Sequence, residues 1–199
     1  MSTSYLLLHG LGGSGPEHWQ TWLSAQLTER GERVYYPQFP NHDEPSLAIW
    51  LQELSELMDA IPQDEELIVI THSLGCILWF HYAATLPTRR VKQAIIVAPP
   101  SAQIQLPEIQ EFFPPPHPER LKLAADATLI VQSSNDPFCE LSNTLFYAEI
   151  GVPSIMLPDM GHINTASGHG PWPFILHLAL TGTIPFATSE VSISASVTD

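Results

Sequence analysis

The stretch that decides the fold is LIVITHSLGCILWFHYAA, residues 67–84. An apolar run rich in β-branched residues ends at Thr71-His72, and a helix-like pattern begins directly after Ser73. A strand that passes at once into a helix is typical of open α/β sheets, where reactive groups collect just beyond the carboxyl ends of the strands. We therefore predict a sharp turn that presents the Ser73 hydroxyl above the N-terminus of a helix.

Apolar runs and helix-like stretches alternate along the rest of the chain. The runs are mostly continuous, as expected for strands buried on both faces of a parallel sheet. They predict an α/β fold: a single-domain, doubly wound, mostly parallel sheet. The predicted strands cover 5–8, 34–36, 67–70, 94–97, 128–131 and 154–157, and the predicted helices cover 17–30, 46–61, 74–86, 140–150 and 173–180.

Composition narrows the class of protein. The 199 residues carry 7 basic and 21 acidic side chains, a formal net charge of −14, which disfavours nucleic acid and anionic membrane surfaces as partners. We find neither a basic, apolar leader nor a run of roughly 20 apolar residues that would span a bilayer. Two cysteines, Cys76 and Cys139, do not make a disulfide framework, so we expect a cytoplasmic protein.

A reactive serine needs a base to take its proton, and that base needs an acid to orient it. Asp136, in SSNDPF, follows the predicted strand 128–131, and His162, in PDMGHIN, follows the strand 154–157. The carboxyl ends of parallel strands meet at one edge of the sheet, so these groups should lie close to Ser73. We predict Ser73 as nucleophile, His162 as general base and then acid, and Asp136 as the orienting acid.

The turn around the serine departs from the usual G-x-S-x-G pattern. Gly75 fits the second glycine, but Thr71 occupies the first, and THSLG alone would also suit a serine that caps a helix. Asp159 competes as the acid, although it lies on the same loop as the histidine and more readily shapes that turn. His72 should point away from the serine and have a structural role.

Two backbone N–H groups should stabilise the oxyanion that forms when a serine attacks a carbonyl. Leu74 supplies one at the start of the helix, and Leu11, between Gly10 and Gly12 of LLLHGLGGSGPEHW, is the candidate for the second. The glycine-rich loop lacks the lysine of a phosphate-binding P-loop. We therefore interpret it as part of an oxyanion hole.

These motifs resemble the α/β-hydrolase superfamily and, more narrowly, the small serine hydrolases typified by retinoblastoma-binding protein 9 and its bacterial relatives. The resemblance covers about residues 5–180 and rests on HGLGGSGPEHW, THSLGC, SSNDPF and GHIN, with the paired His18-Trp19 as a distinctive part. It implies a minimal hydrolase without a large lid domain, with the same triad, acting on small esters or amides. Members often lack the first glycine, which Thr71 replaces here.

The preferred function is a carboxylesterase acting on small or medium acyl esters, without a cofactor. An amidase, peptidase or thioesterase would use the same apparatus, and a non-catalytic binding protein on a hydrolase fold is the alternative from another class. A metalloenzyme is disfavoured because no H-x-x-x-H or H-E-x-x-H pair occurs on a predicted helix. The apolar candidates to line the acyl side are Trp19, Phe112, Phe113, Phe138 and Ile163.

The hydrolase domain is predicted to cover residues 1–182, followed by a Ser/Thr-rich tail at 183–199 that we expect to be flexible. The proline-rich segment 106–121 interrupts a crossover between two strands, where it could form an irregular flap or a plain solvated connection. The sequence leaves the oligomeric state open.

Overall fold

Six short strands form one sheet in the computed structural model, which describes residues 2–87, 89–116 and 118–185. They coincide with the predicted apolar runs, most of them extended by one to five residues at their ends. The strands are β1 (Thr3–Leu8), β2 (Arg33–Tyr35), β3 (Glu66–His72), β4 (Val91–Val97), β5 (Ala125–Ser133) and β6 (Ser154–Leu157).

The sheet is parallel throughout, with the strand order β2-β1-β3-β4-β5-β6. The chain moves outward from β1 to β2 and then returns to the other side of β1, so the direction of winding reverses between β1 and β3. This switch point is where ligands bind in open α/β sheets. Leu8 of β1 pairs in register with Thr71 of β3, which places the loop after β1 beside Ser73.

Both faces of the sheet are buried, because alternate residues of each strand enter different cores. In β1, Leu6 and Leu8 pack in one core, while Tyr5 and Leu7 pack in the other. The helices of the described residues are α1 (Trp19–Glu29), α2 (Leu47–Ala60), α3 (Leu74–Ala84), α4 (Leu121–Ala124), α5 (Leu145–Ala148) and α6 (Pro173–Thr181). Helices α2 and α3 cover the first face, and α1 and α6 cover the second. The prediction of a doubly wound α/β fold is confirmed.

One predicted helix is wrong in form. The range 140–150 folds as a 3₁₀ turn, Leu141–Asn143, followed by the short helix α5, and not as one continuous helix. Ser142, Asn143 and Thr144 stand where the two pieces meet, and the Thr144 hydroxyl donates to the Leu141 carbonyl over 2.7 Å. Such side chains compete with the backbone for hydrogen bonds and weaken a helix interior.

The proline-rich segment forms a 3₁₀ helix, Pro107–Phe112, between β4 and α4. Most of the predicted tail, residues 186–199, lies outside the described residues. Within the described ranges, no helix combines the length and the apolar character needed to cross a membrane.

Gly75 should be sensitive to any side chain, since α3 lies against the end of β1. A Cβ at Gly75 would lie 2.5 Å from the Leu8 carbonyl oxygen and 2.6 Å from that of His9. We expect Gly75→Ala to lower the free energy of unfolding by about 1–3 kcal/mol, as overpacking does. Urea denaturation measures the change.

Gly15→Ala is the matched control, because a Cβ there would meet no atom within 4 Å. This variant should stay within about 0.5 kcal/mol of the parent. Equal stability of the two variants would contradict the close packing at Gly75.

Candidate active site

Ser73 lies at the junction of β3 and α3 with φ +53° and ψ −123°. Residues other than glycine rarely adopt such a backbone conformation, which costs about 1–3 kcal/mol. The Ser73 N–H donates to the Val97 carbonyl of the neighbouring strand β4 over 3.1 Å, which helps to hold the turn. The strained turn places Ser73 at the wall of a cleft, as the sequence predicts for this junction.

Thr71 takes the place of the first glycine without disturbing this turn. Its side chain is fully buried, and its hydroxyl donates to the Cys76 sulfur over 3.1 Å. The Cys76 thiol in turn donates to the Val97 carbonyl over 3.2 Å. Burial raises the pKa of the Cys76 thiol to about 12, so this cysteine stays a neutral link in the chain of hydrogen bonds.

The three residues of the predicted triad are hydrogen bonded in series. His162 Nε2 lies 2.8 Å from Ser73 Oγ. On the other side of the ring, Nδ1 lies 2.9 Å and 3.0 Å from the two carboxylate oxygens of Asp136. A carboxylate at Nδ1 holds the proton there and leaves the Nε2 lone pair for the serine hydroxyl, which is the arrangement that activates a serine.

Asp136 is fixed by its own loop. The Phe138 N–H donates to Asp136 Oδ1 over 2.9 Å, and the Phe138 ring packs edge-on against His162 at 4.6 Å between centroids. Asp159, the competing acid, instead bonds to Ser134: its Oδ1 accepts from the Ser134 hydroxyl over 3.3 Å. Asp159 therefore joins the loop after β6 to the loop after β5, as the turn-shaping interpretation expects.

The loop after β1 approaches the serine very closely at Gly10. A Cβ there would lie 2.8 Å from Ser73 Cβ and 3.2 Å from the Leu74 nitrogen, so this approach needs glycine. The N–H groups of Leu11 and Leu74 donate to no other residue that the structure describes. Both residues line the cleft beside Ser73. These two groups are thus free to serve as oxyanion donors.

His9, which the sequence analysis missed, orients the peptide between Gly10 and Leu11. The Phe39 N–H donates to His9 Nε2 over 3.0 Å, so the ring proton is on Nδ1, which donates to the Gly10 carbonyl over 2.8 Å. In a trans peptide the N–H points opposite to the carbonyl, so the Leu11 N–H points away from His9. The HG pair directly after a strand is the sequence signal for this role.

The cleft at Ser73 has a volume of about 280 Å³ and mostly apolar walls. The described residues that line it include no Lys, Arg, Asp or Glu side chain. Its apolar side chains come from the loop after β1, the start of α3, the segment that follows β4 and the loops after β5 and β6. They are Leu11, Leu74, Pro100, Ile104, Leu106, Ile109, Phe138 and Ala166.

Of the five predicted acyl-side residues, only Phe138 lines this cleft. Trp19 is buried between the sheet and α6, with its ring 5.4 Å from that of Trp172. Phe112 is fully buried, edge-on to Trp50 at 5.6 Å. The other two, Phe113 and Ile163, pack in the two cores, one on each face of the sheet.

The apolar wall that the prediction missed comes from the segment between β4 and α4. Ile104 and Leu106 precede the 3₁₀ helix of that segment, Ile109 belongs to it, and all three line the cleft. A flap over this edge of the sheet was one of the two interpretations of 106–121. The sequence signal is weak, because the apolar residues there follow neither the helix nor the strand period.

A sequence model of the family described as serine hydrolases matches residues 5–180, most of the chain. The chain belongs to the serine hydrolase family. The narrower resemblance to retinoblastoma-binding protein 9 stays a prediction.

Similar proteins include YdeN of Bacillus subtilis (strain 168), a hydrolase-like protein with 29% identity over 110 residues. That alignment covers 55% of this serine hydrolase and 56% of YdeN, so the chain spans just over half of this relative's length. The crystal structure of a YdeN-like protein from Pectobacterium atrosepticum SCRI1043 has a TM-score of 0.75 at 22% identity, covering 92% of this chain and 94% of that one. The Bacillus subtilis ydeN gene product also has a TM-score of 0.75, at 21% identity, with 90% and 97% covered. At these identities the solved structures show the shared fold alone.

The loop that carries His162 in this serine hydrolase is held by two buried rings. His72 Nε2 donates to the His162 carbonyl over 3.0 Å, and Trp19 Nε1 donates to the next carbonyl, that of Ile163, over 2.8 Å. Ile163 has φ +49°, a strained backbone that needs such support. His72 thus connects the turn at Ser73 to the loop that carries His162. The sequence predicted a structural role for His72, and this bond specifies what that role is.

The described residues contain no group of three or more His, Cys, Asp or Glu side chains placed to hold a metal ion. His162 and His169 share a loop, yet His162 is bonded on both ring nitrogens to Ser73 and Asp136. His169 lies 3.3 Å from the Ser167 hydroxyl through its Nδ1.

Loss of the His72 tie should slow turnover in this hydrolase more than it weakens substrate binding. His72→Phe keeps a ring in place but leaves the His162 carbonyl without its donor. We expect a decrease in kcat of about tenfold or more, with a smaller change in KM, because misplacing a catalytic group raises the barrier. Steady-state kinetics measure the two parameters separately.

His81→Phe provides the control, because His81 Nε2 donates to the Phe112 carbonyl over 2.9 Å, in the segment that carries the cleft wall and not at the triad. Both variants lose one ring-to-carbonyl hydrogen bond and should lose about 1–3 kcal/mol of stability, but His81→Phe should change KM and leave kcat near that of the parent. Equal kcat values for the two variants would contradict the positioning role of His72.

The folded state should lose stability as the pH decreases from about 6.5 to about 4. Burial, the largest cause, lowers the pKa of His9, of His18 (to about 4) and, most strongly, of His72. The unfolded chain takes up these protons near the ordinary pKa of about 6.5, whereas the folded chain does not. Stability is therefore fully present above that pH and decreases below it.

Linkage gives the size of the effect: up to about 1.4 kcal/mol per pH unit for each such ring. Urea denaturation at a series of pH values measures the slope. A free energy of unfolding that stays constant over this range would contradict the buried, neutral state of these three histidines.

Proposed function

We propose that this serine hydrolase cleaves small or medium acyl esters through Ser73, His162 and Asp136 with an acyl-enzyme intermediate. The observation that carries the proposal is the unbroken series of hydrogen bonds from the Asp136 carboxylate through His162 to the Ser73 hydroxyl at the cleft. A buried carboxylate–imidazole–hydroxyl series has a chemical use in acyl transfer, because it makes the serine oxygen a nucleophile near neutral pH.

In acylation, Ser73 Oγ attacks the ester carbonyl carbon while His162 Nε2 takes the hydroxyl proton. The carbonyl oxygen becomes an oxyanion, and the N–H groups of Leu11 and Leu74 donate to it. The intermediate then collapses: the bond to the leaving oxygen breaks, and His162 gives its proton to the departing alcohol. Asp136 stays ionised and stabilises the imidazolium that exists between the two proton transfers.

In deacylation, water takes the place of the departed alcohol beside His162. Nε2 removes a proton from this water as its oxygen attacks the acyl carbon, and the same two N–H groups hold the second oxyanion. Collapse returns the proton to Ser73 Oγ and releases the carboxylic acid. The cycle consumes one water and needs no cofactor, as the sequence analysis expects.

The cleft favours an uncharged acyl group. Its apolar walls stabilise a bound acyl chain through each methylene they cover, and the described residues place no Lys or Arg side chain there to pair with a substrate carboxylate. With a net charge of −14 on the chain, we propose small molecules, and neither nucleic acid nor membrane, as partners. The low cysteine content supports the cytoplasm as the proposed location.

Amides and thioesters remain alternative substrates, because the same nucleophile, base and oxyanion donors serve all three reactions. A binding protein that kept this fold without catalysis would have no use for a strained serine hydrogen bonded to a buried histidine. The geometry therefore favours an enzyme. The rates measured on esters, amides and thioesters distinguish the three reactions.

A fluorophosphonate probe tests the nucleophile directly. The parent should be labelled at Ser73 and lose the label in Ser73→Ala, while Asp136→Asn should be labelled far more slowly, by about 10³-fold or more. Thermal unfolding of each variant confirms that it is folded. A folded parent that takes no label would overturn the hydrolase mechanism.

p-Nitrophenyl esters of increasing chain length test the acyl specificity. We expect kcat/KM to rise by about fourfold per added methylene until the apolar wall is covered, since each buried methylene contributes about 0.8 kcal/mol. Anilides and thioesters of the preferred acyl chain then rank the three reaction classes. Preference for the anilide after correction for its lower intrinsic reactivity would replace the esterase assignment with an amidase.

A further inference from the structure

His18 is a buried ring at the edge of the cleft that the proposed mechanism does not use. It is 5% exposed, lines the cleft together with Ser73, and stands immediately before α1 as the helix N-cap. Its neighbours are aromatic: the ring lies 5.0 Å from that of His72 and 5.4 Å from that of Trp19. A polar ring in such a place needs partners for both nitrogens.

The helix cap fixes which nitrogen carries the proton. The Gln20 N–H donates to His18 Nδ1 over 3.1 Å, so Nδ1 offers a lone pair and carries no hydrogen. In a neutral imidazole the proton must then be on Nε2. The second nitrogen of His18 is therefore a hydrogen-bond donor, and its direction is set by the start of α1.

No described residue accepts from His18 Nε2. His72 Nε2 is itself a donor, to the His162 carbonyl, and His162 uses both nitrogens within the triad. Within the described residues, His18 Nε2 lacks a hydrogen-bond partner but is not fully enclosed, unlike Trp79 Nε1, which is both unpartnered and shut off from solvent. Since His18 is buried except where it borders the cleft, its Nε2–H faces the space that a substrate occupies.

We propose that His18 Nε2–H binds an acceptor oxygen of the substrate close to the scissile ester, and so forms a hydrogen-bonding subsite in an otherwise apolar cleft. The ligand class is a neutral ester with an ether, hydroxyl or carbonyl oxygen a few atoms from the reacting carbon. The inference rests on the proposed function, because it assumes that an ester is bound at Ser73.

The ring stays neutral at working pH, which supports a neutral acceptor over a carboxylate. Burial first, and then the nearby His162, His169 and His9, together lower the pKa of His18 to about 4. No acidic side chain lines the cleft to oppose this effect within the described residues. His18 therefore donates a hydrogen bond without supplying a positive charge.

Isosteric esters test the subsite. p-Nitrophenyl pentanoate is compared with the ethoxyacetate and 3-methoxypropanoate esters, in which an ether oxygen replaces one methylene of the acyl chain. Each kcat/KM is divided by the ester's rate of alkaline hydrolysis, which removes the difference in intrinsic reactivity. The informative quantity is the corrected selectivity of an ether ester over the pentanoate.

His18→Asn and His18→Ser are the test variants, because both side chains cap helices well but are too short to replace the ring in the cleft. We expect each to lower the selectivity for at least one ether ester by about three- to tenfold, the effect of one lost hydrogen bond. Thermal unfolding checks that the cap is retained. With two variants, the test still gives a result if one of them does not fold.

A role of His18 in the helix cap alone would change all esters by the same factor and leave the selectivity unchanged, which would overturn the inference. A parent that hydrolyses the pentanoate but whose selectivity is insensitive to both substitutions would do the same and leave the hydrolase function standing. A folded parent that hydrolyses no ester and takes no fluorophosphonate label would overturn the proposed function, and the subsite with it.

Discussion

The contact on which the rest of the site depends is the close packing of α3 against the end of β1. Gly75 lies so near to the carbonyls of Leu8 and His9 that no side chain fits between them. This contact lets the chain turn from β3 into α3 at a single strained residue, Ser73, and it places the Leu74 N–H beside the loop at Gly10. Helix α3 can bear that strain because most of its residues are buried, so the packing energy of the helix offsets the cost of the turn.

Neutral histidines are the second constraint on the site. In the proposed mechanism His162 gains a proton, and among the described residues Asp136 is the one carboxylate bonded to it. A charged ring at His72, whose centroid lies 5.1 Å from that of His162, or at His18 would repel that imidazolium. Burial is the largest cause of the lowered pKa of both rings, and the charge on His162 is the second. Burial therefore keeps His72 and His18 uncharged while His162 gains and loses its proton in the proposed mechanism.

The sequence predicted the fold well, and it predicted that Ser73, Asp136 and His162 would lie together, because both expectations follow from where the apolar runs end. Continuous apolar runs mark buried parallel strands, and the residues directly after them must meet at one edge of the sheet. The direction of a side chain is harder to predict from the sequence, because an aromatic residue near the site can pack into a core as readily as it can line a cleft. Trp19 and Phe112 entered the cores because their large rings bury more apolar area there than at an open cleft. The positions of His9 and His18 depend on loop conformation, which no periodicity encodes.

The catalytic groups and the wall of the cleft are built on different parts of the chain. Ser73, Asp136 and His162 stand at the ends of strands, whereas Ile104 and Leu106 belong to the segment after β4.

That segment is nevertheless fixed. Phe112 at its end is buried edge-on to Trp50 of α2, its carbonyl accepts from His81 of α3, and the carboxylate of Glu111 accepts from the Leu47 N–H. Phe112 was expected in the cleft, and it acts instead as the anchor of the wall. The groups that anchor the segment, on Leu47, Trp50 and His81, form no hydrogen bond with the triad that the structure describes. The wall of the cleft can therefore change without breaking the hydrogen bonds between Asp136, His162 and Ser73.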